Sequence, residues 1–283
     1  MSQPWDYIAK IVTLGDSGCG KSSVCATSPI CSIHQASVIK YFSNSYQLTI
    51  RLCDGRFSQQ HDVTIGVEFD AQIVPVGPPA SLELSINNPS KPTAPQTSAK
   101  DQPQKHMKLS LWDTAGQETY KSITRSYFRG ASGALLVFDI TRKNTFLSVT
   151  SWLNDLRQIA EEGIVVVLVG NKSDLASASA VSNESGSNKR QVTKEEAEEW
   201  CRANGVMQYV ETSAKSGDGV LRAFLEVSER IYQNIEAGKY DLNDRRSGVK
   251  GANARGGNNA RVNLGPNDTG RGKKSQQGWG VCC

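Results

Sequence analysis

The run Gly15-Asp16-Ser17-Gly18-Cys19-Gly20-Lys21-Ser22 fits G-x-x-x-x-G-K-[ST] and restricts the possible folds of this chain more than any other feature. In that pattern glycines let consecutive backbone N–H groups turn inward around phosphate oxygens, and the lysine adds a point charge. A strand should precede such a loop and a helix should follow it. Tyr7-Ile8-Ala9-Lys10-Ile11-Val12-Thr13-Leu14 supplies the strand: it is β-branched and apolar, suits a buried parallel position, and runs directly into Gly15.

Three more motifs follow in order: Asp113-Thr114-Ala115-Gly116-Gln117, Asn171-Lys172-Ser173-Asp174 and Glu211-Thr212-Ser213-Ala214-Lys215. An isolated Asn-Lys-x-Asp is ordinarily a solvated turn. Here it closes the apolar run Ile164-Val165-Val166-Val167-Leu168-Val169-Gly170, so its side chains emerge at a strand's carboxyl end, where open α/β sheets bind ligands.

With these words the chain resembles the Ras superfamily of small GTPases and, within it, the Rab family. The Rab-like words are Thr64-Ile65-Gly66-Val67-Glu68-Phe69, Lys108-Leu109-Ser110-Leu111-Trp112-Asp113, Tyr127-Phe128-Arg129-Gly130-Ala131 and the final Cys282-Cys283. The wording from Arg125 to Val137 is most similar to the Golgi and endosomal subgroup that contains Rab-two and Rab-four. The resemblance implies a three-layer α/β P-loop GTPase domain. Its six-stranded sheet is mostly parallel with one antiparallel edge strand, has helices on both faces, and is followed by a disordered C-terminal tail.

The resemblance also assigns roles. Gly15, Asp16, Ser17, Gly18, Cys19, Gly20, Lys21, Ser22 and Ser23 cradle the phosphates of GTP or GDP, with Lys21 on the β and γ phosphates. Ser22 and Thr64 ligate Mg²⁺ and Asp113 reaches it through water, hard oxygens suiting a small cation that keeps part of its hydration shell. Gly116 donates its N–H to the γ phosphate, and Gln117 orients the attacking water. Phe57 lies against the guanine face, Asn171 and Lys172 frame the ring, and Ser213, Ala214 and Lys215 close the far side. The Asp174 carboxylate accepts two hydrogen bonds from guanine N1 and N2 but faces adenine's acceptor nitrogen unpaired, so it selects the base. Cys19 is expected to be a small filler beneath the nucleotide.

Ile65, Phe69, Trp112 and Tyr127 correspond to the family's effector surface, although aromatics in a sheet usually mean core and Trp112 is as readily core. Cys282 and Cys283 do not form a C-a-a-X box, and the implied modification is double geranylgeranylation. Two lipids and a basic tail give stable membrane attachment where one lipid gives little. The function implied is that of a GTP-hydrolysing, membrane-attached switch in vesicle trafficking, in the cytosol and on the cytoplasmic face of Golgi or endosomal membranes. The implied partners are an exchange factor, an activating protein, a GDP-dissociation inhibitor, a prenyl transferase with its escort, and effectors; a monomer is expected.

Composition supports this. Residues 239–283 carry nine Lys or Arg against three Asp, a net charge of +6, which leaves −2 for residues 1–238. A basic tail suits an acidic membrane surface. Without an aromatic-rich companion surface it does not suit nucleic acid. No run approaches bilayer-spanning length, the first residues lack a secretory core, and seven cysteines show no zinc spacing and no disulfide framework.

Two segments depart from the family. After Ser23 the first helix should continue, yet residues 24–47 contain Pro29 and would break it. Joining Ser23 to Leu48 restores the helix, and removing these 24 residues returns Lys21 and Thr64 to the family's interval. Val24-Cys25 can be encoded by a donor-type start, Ser43-Asn44 by a branch-point CTAAC and Gln47 by CAG, so the segment reads as a retained intron. The alternative is a true insertion, which would make the chain a non-hydrolysing Rab-like interaction protein. Residues 77–104, rich in Pro, Ser, Thr and Lys, read as a flexible hairpin insert, because such a composition buries too little apolar area to order itself. The GTPase domain is thus expected over residues 1–238 and the hypervariable tail over 239–283.

Overall fold

The computed structural model describes residues 4–22, 66–83, 103–177, 189–244 and 247–251. Among the described residues seven strands form one sheet: β1 (Tyr7–Leu14), β2 (Val67–Val76), β3 (Lys105–Thr114), β4 (Gly133–Asp139), β5 (Val165–Asn171), β6 (Gln208–Glu211) and β7 (Val249–Gly251). The order is β2-β3-β1-β4-β5-β6, with β1, β3, β4, β5 and β6 parallel and β2 antiparallel at the edge. Helices are α1 (Ala80–Glu83), α2 (Lys121–Ser126), α3 (Lys143–Ile159), α4 (Asp174–Ser177), α5 (Lys194–Asn204) and α6 (Val220–Glu236).

Side chains of a strand alternate between faces, and the two cores follow that alternation. Leu135, Val137, Val167 and Val169 pack on one side with Val220, Phe224, Val227 and Ile231 of α6. Leu136, Phe138, Val166 and Leu168 face the other way, against Phe146, Trp152 and Leu156 of α3 and Ala197 and Cys201 of α5. Every residue of β4 and β5 is buried, which explains their unbroken apolar wording. Thr193 caps α5 as its sequence indicates, its side chain accepting from the Glu196 N–H at 3.2 Å.

Two expectations need correction. First, the sheet gains a seventh strand from residues assigned to a structureless tail. Val249, fully buried, pairs antiparallel with Ala9, and the Lys10 N–H donates to the Gly248 carbonyl at 3.0 Å. β4 reaches only as far as Ile11 along β1, so the first half of β1 keeps a free side that this short segment fills. Tyr240 and Leu242 pack against the same core. A chain ended after Gly238 is therefore expected to be about 2 kcal/mol less stable to urea than one ended after Gly251, from the burial of Val249 alone. Equal unfolding midpoints would contradict this.

Second, the insert is ordered at its base. The Gly77 N–H donates to Glu229 Oε2 of α6 at 2.8 Å, and Gln104 bridges the two ends, accepting from the Ala80 N–H at 3.0 Å and donating to the Val76 carbonyl at 2.8 Å. Polar side chains thus satisfy the backbone that composition alone leaves open. Residues 84–102 of the insert lie outside the described residues, as do 23–65, 178–188 and 252–283.

Candidate functional site

The carboxyl ends of β1, β3 and β5 and the loop after β6 bring the four motifs together. Gly15 leaves β1 at φ +145°, and a Cβ there would lie 2.0 Å from the Val137 carbonyl oxygen, so only glycine lets the loop turn this close to β4. Lys21 and Ser22 begin a helix. Lys21, only 6% exposed, donates to the Asp16 carbonyl at 2.9 Å, so its ammonium crosses the mouth of the loop. A Cβ on Gly116 would fall 2.4 Å from Lys21 Nζ and 2.6 Å from Asp16, which makes this glycine one wall of the same cradle.

Beside it, the Ser22 hydroxyl donates to Asp113 Oδ2 at 2.5 Å and the Thr13 hydroxyl to Asp113 Oδ1 at 2.8 Å. Burial pushes the Asp113 carboxyl up, while Ser22, Lys21 and Thr13 pull the other way. A hydroxyl and a carboxylate brought together beside a lysine are hard oxygen donors that fit Mg²⁺ with a polyphosphate. Gln117 follows at a half-buried position.

At the other end, Asn171 is 1% exposed and joins two loops through three hydrogen bonds. Its amide donates to the Cys19 carbonyl at 2.8 Å, and its oxygen accepts from the Ala214 N–H at 3.0 Å and the Thr212 hydroxyl at 3.2 Å. Lys172 takes a left-handed φ of +71°, unusual outside glycine, and its ammonium reaches Asp139 at 2.7 Å. Asp174 accepts from the Ser213 hydroxyl at 2.7 Å. Lys215 is exposed beside them. Cys19 is fully buried, and burial pushes its thiol up, as a packing role requires.

On the sheet surface, Phe69 and Trp112 are cross-strand partners with ring centroids 5.1 Å apart, and Tyr127 lies 5.3 Å from Trp112. Phe69 is 57% exposed and Trp112 and Tyr127 are half-buried, so this trio reaches the surface, with Trp112 also packed against the core.

A model of the Ras family matches residues 45–233. The chain belongs to the Ras family. It is a small GTPase of that family, whose members bind GTP or GDP, generally with Mg²⁺, and meet exchange factors, activating proteins and effectors. The match begins three residues before Leu48 and leaves the phosphate loop outside it, yet β1 lies between β3 and β4 and delivers that loop to the matched motifs.

Of the sequence-derived site residues, Ser23, Phe57, Thr64, Ile65, Cys282 and Cys283 lie outside the described residues. The structure brings in others that no motif contains. Trp152 of α3 donates its indole N–H to Asp16 Oδ1 at 2.8 Å, and Lys121, four residues past Gln117, stands 5.3 Å over the same ring. Asp139 was missed as well, although a signal exists for it: it ends the apolar run of β4 as Asn171 ends that of β5, and the two are register partners.

Proposed function

We propose that this small GTPase is a Rab-like, membrane-attached switch in vesicle trafficking, cycling between cytosol and the cytoplasmic face of Golgi or endosomal membranes. The observation that carries its nucleotide-site part is the Asn171 side chain, one group bonded both to the phosphate loop and to the Ala214 backbone, which joins the phosphate end to the base end; the trafficking and membrane parts rest on the Rab-like wording of the sequence.

In this reading Lys21 and the inward N–H groups hold the β and γ phosphates, and Ser22, Thr64 and, through water, Asp113 hold Mg²⁺. The metal supplies charge neutralisation, and the protein's own work is positioning. Gly116 reads the γ phosphate and Gln117 orients the water. Asp174 selects guanine against adenine, with Ser213 fixing its carboxylate. Phe69, Trp112 and Tyr127 form an exposed aromatic patch of the kind that anchors effectors. Geranylgeranyl groups on Cys282 and Cys283 provide the membrane anchor, implying a prenyl transferase with its escort and a GDP-dissociation inhibitor.

Residues 24–47 are, on the same reading, untranslated sequence. The family match, which begins at residue 45 and so takes in only the last three residues of this segment, is consistent with this.

Single-turnover hydrolysis tests the switch. The chain preloaded with GTP should release phosphate slowly, and Gln117→Leu should slow that release at least about tenfold, or about 1.4 kcal/mol in the barrier. Tight GTP binding with no phosphate release from either protein would favour the non-hydrolysing interaction protein instead.

A further inference from the structure

A loop that turns its N–H groups toward phosphate must turn its carbonyls outward, and those carbonyls need donors of their own. Three of them have one. The Asp16 carbonyl accepts from Lys21 at 2.9 Å, the Cys19 carbonyl from Asn171 at 2.8 Å, and the Ser17 carbonyl from Arg142 Nη2 at 3.1 Å. The first two donors belong to the motifs that define the site. Arg142 belongs to none of them; it is the residue that opens α3.

Its placement is specific. The same Nη2 lies 3.7 Å from Cys19 Sγ and 3.4 Å from where a Cβ on Gly18 would stand, so the guanidinium is laid along the outer wall of the loop. At its other edge Nε donates to Asp139 Oδ2 at 3.1 Å. That same oxygen takes the Lys172 ammonium at 2.7 Å, while Oδ1 accepts from the Thr141 N–H at 2.9 Å and the Thr141 hydroxyl at 2.6 Å. Asp139 is 1% exposed, so this junction is anchored in the sheet and not in solvent. One carboxylate thus binds a cation that touches the phosphate loop and a cation from the base-reading motif.

We propose that Arg142 is a positioning residue for the nucleotide. It holds the Ser17 carbonyl outward, which keeps the loop's N–H groups inward, and through Asp139 it ties the phosphate loop to Lys172. The two ends of the site then loosen together when it is lost. This inference rests on the reading of the site as a guanine-nucleotide pocket.

The test compares the full chain with its Arg142→Ala and Arg142→Lys variants, each loaded with a fluorescent GDP analogue in excess Mg²⁺. Release from Arg142→Ala should be about tenfold faster, the loss of one charge-assisted contact. Arg142→Lys keeps the charge but not the two-edged fork, so its release should be intermediate. Urea midpoints of the nucleotide-free proteins should differ little, because the side chain is 47% exposed. Release at the wild-type rate from Arg142→Ala would overturn the proposal, as would faster release accompanied by an equal loss of stability. Should Arg142→Ala fail to fold, wild-type release from Arg142→Lys would overturn it. Wild-type protein that binds no analogue, with or without residues 24–47, would sink the nucleotide reading itself, an outcome distinct from unchanged release by the variants.

Discussion

Asn171→Ala should unfold at markedly lower urea concentration and bind GTP at least about 100-fold more weakly than the parent chain. The side chain is buried, and its removal strands the Cys19 carbonyl and the Ala214 N–H, with the Thr212 hydroxyl beside them. A buried polar group left without a partner costs about 1–3 kcal/mol, so two together put the loss in stability at about 2–6 kcal/mol. Binding suffers separately, because the phosphate loop and the loop after β6 lose the post that fixes their spacing. Urea unfolding and equilibrium GTP titration read the two effects. A variant with parental stability and affinity would mean that Asn171 does not join the ends of the site.

Asp174→Ala should behave differently. Its carboxylate is half-exposed at the start of α4, and one oxygen is already committed to Ser213, so unfolding should change little. In the guanine reading the variant loses two charge-assisted hydrogen bonds to the base, each about 1.5–3 kcal/mol. GTP affinity should fall by a factor on the order of 10²–10³ or more, while the weak binding of ATP stays where it was. Competition titrations with both nucleotides check this. Equal losses for GTP and ATP would place Asp174 in the scaffold and not against the base. The contrast with Asn171→Ala is diagnostic: one variant loses fold and affinity together, the other loses base choice alone.

The parts of the fold legible in the sequence were those with a local signal. Tyr7–Leu14 is the observed β1, and the apolar wording of β4 and β5 reflects strands buried on both faces. Helix limits carry a weaker local signal than buried strands: α3 spans Lys143–Ile159 and α6 spans Val220–Glu236, and neither is closed at its start by a side-chain cap. β7 was not legible, because three residues with a single apolar side chain in a Gly-, Asn- and Arg-rich stretch carry no periodicity. Only the unoccupied side of β1, a tertiary fact, makes them a strand. At the site, the motifs carry a local signal in their spacing, and the structure brings the described ones together at the carboxyl ends of β1, β3 and β5 and the loop after β6. Arg142 and Trp152 were missed because their partners, Ser17 and Asp16, lie 125 and 136 positions away, and no local pattern links them.

The central claim is that one pocket grips a triphosphate at one end and reads guanine at the other. Isothermal titration of the chain lacking residues 24–47, with GTP and then ATP in excess Mg²⁺, tests it most directly. Saturable heat with GTP, and affinity for ATP at least about 100-fold weaker, is the predicted result. No heat with GTP, or equal affinity for the two nucleotides, would contradict it.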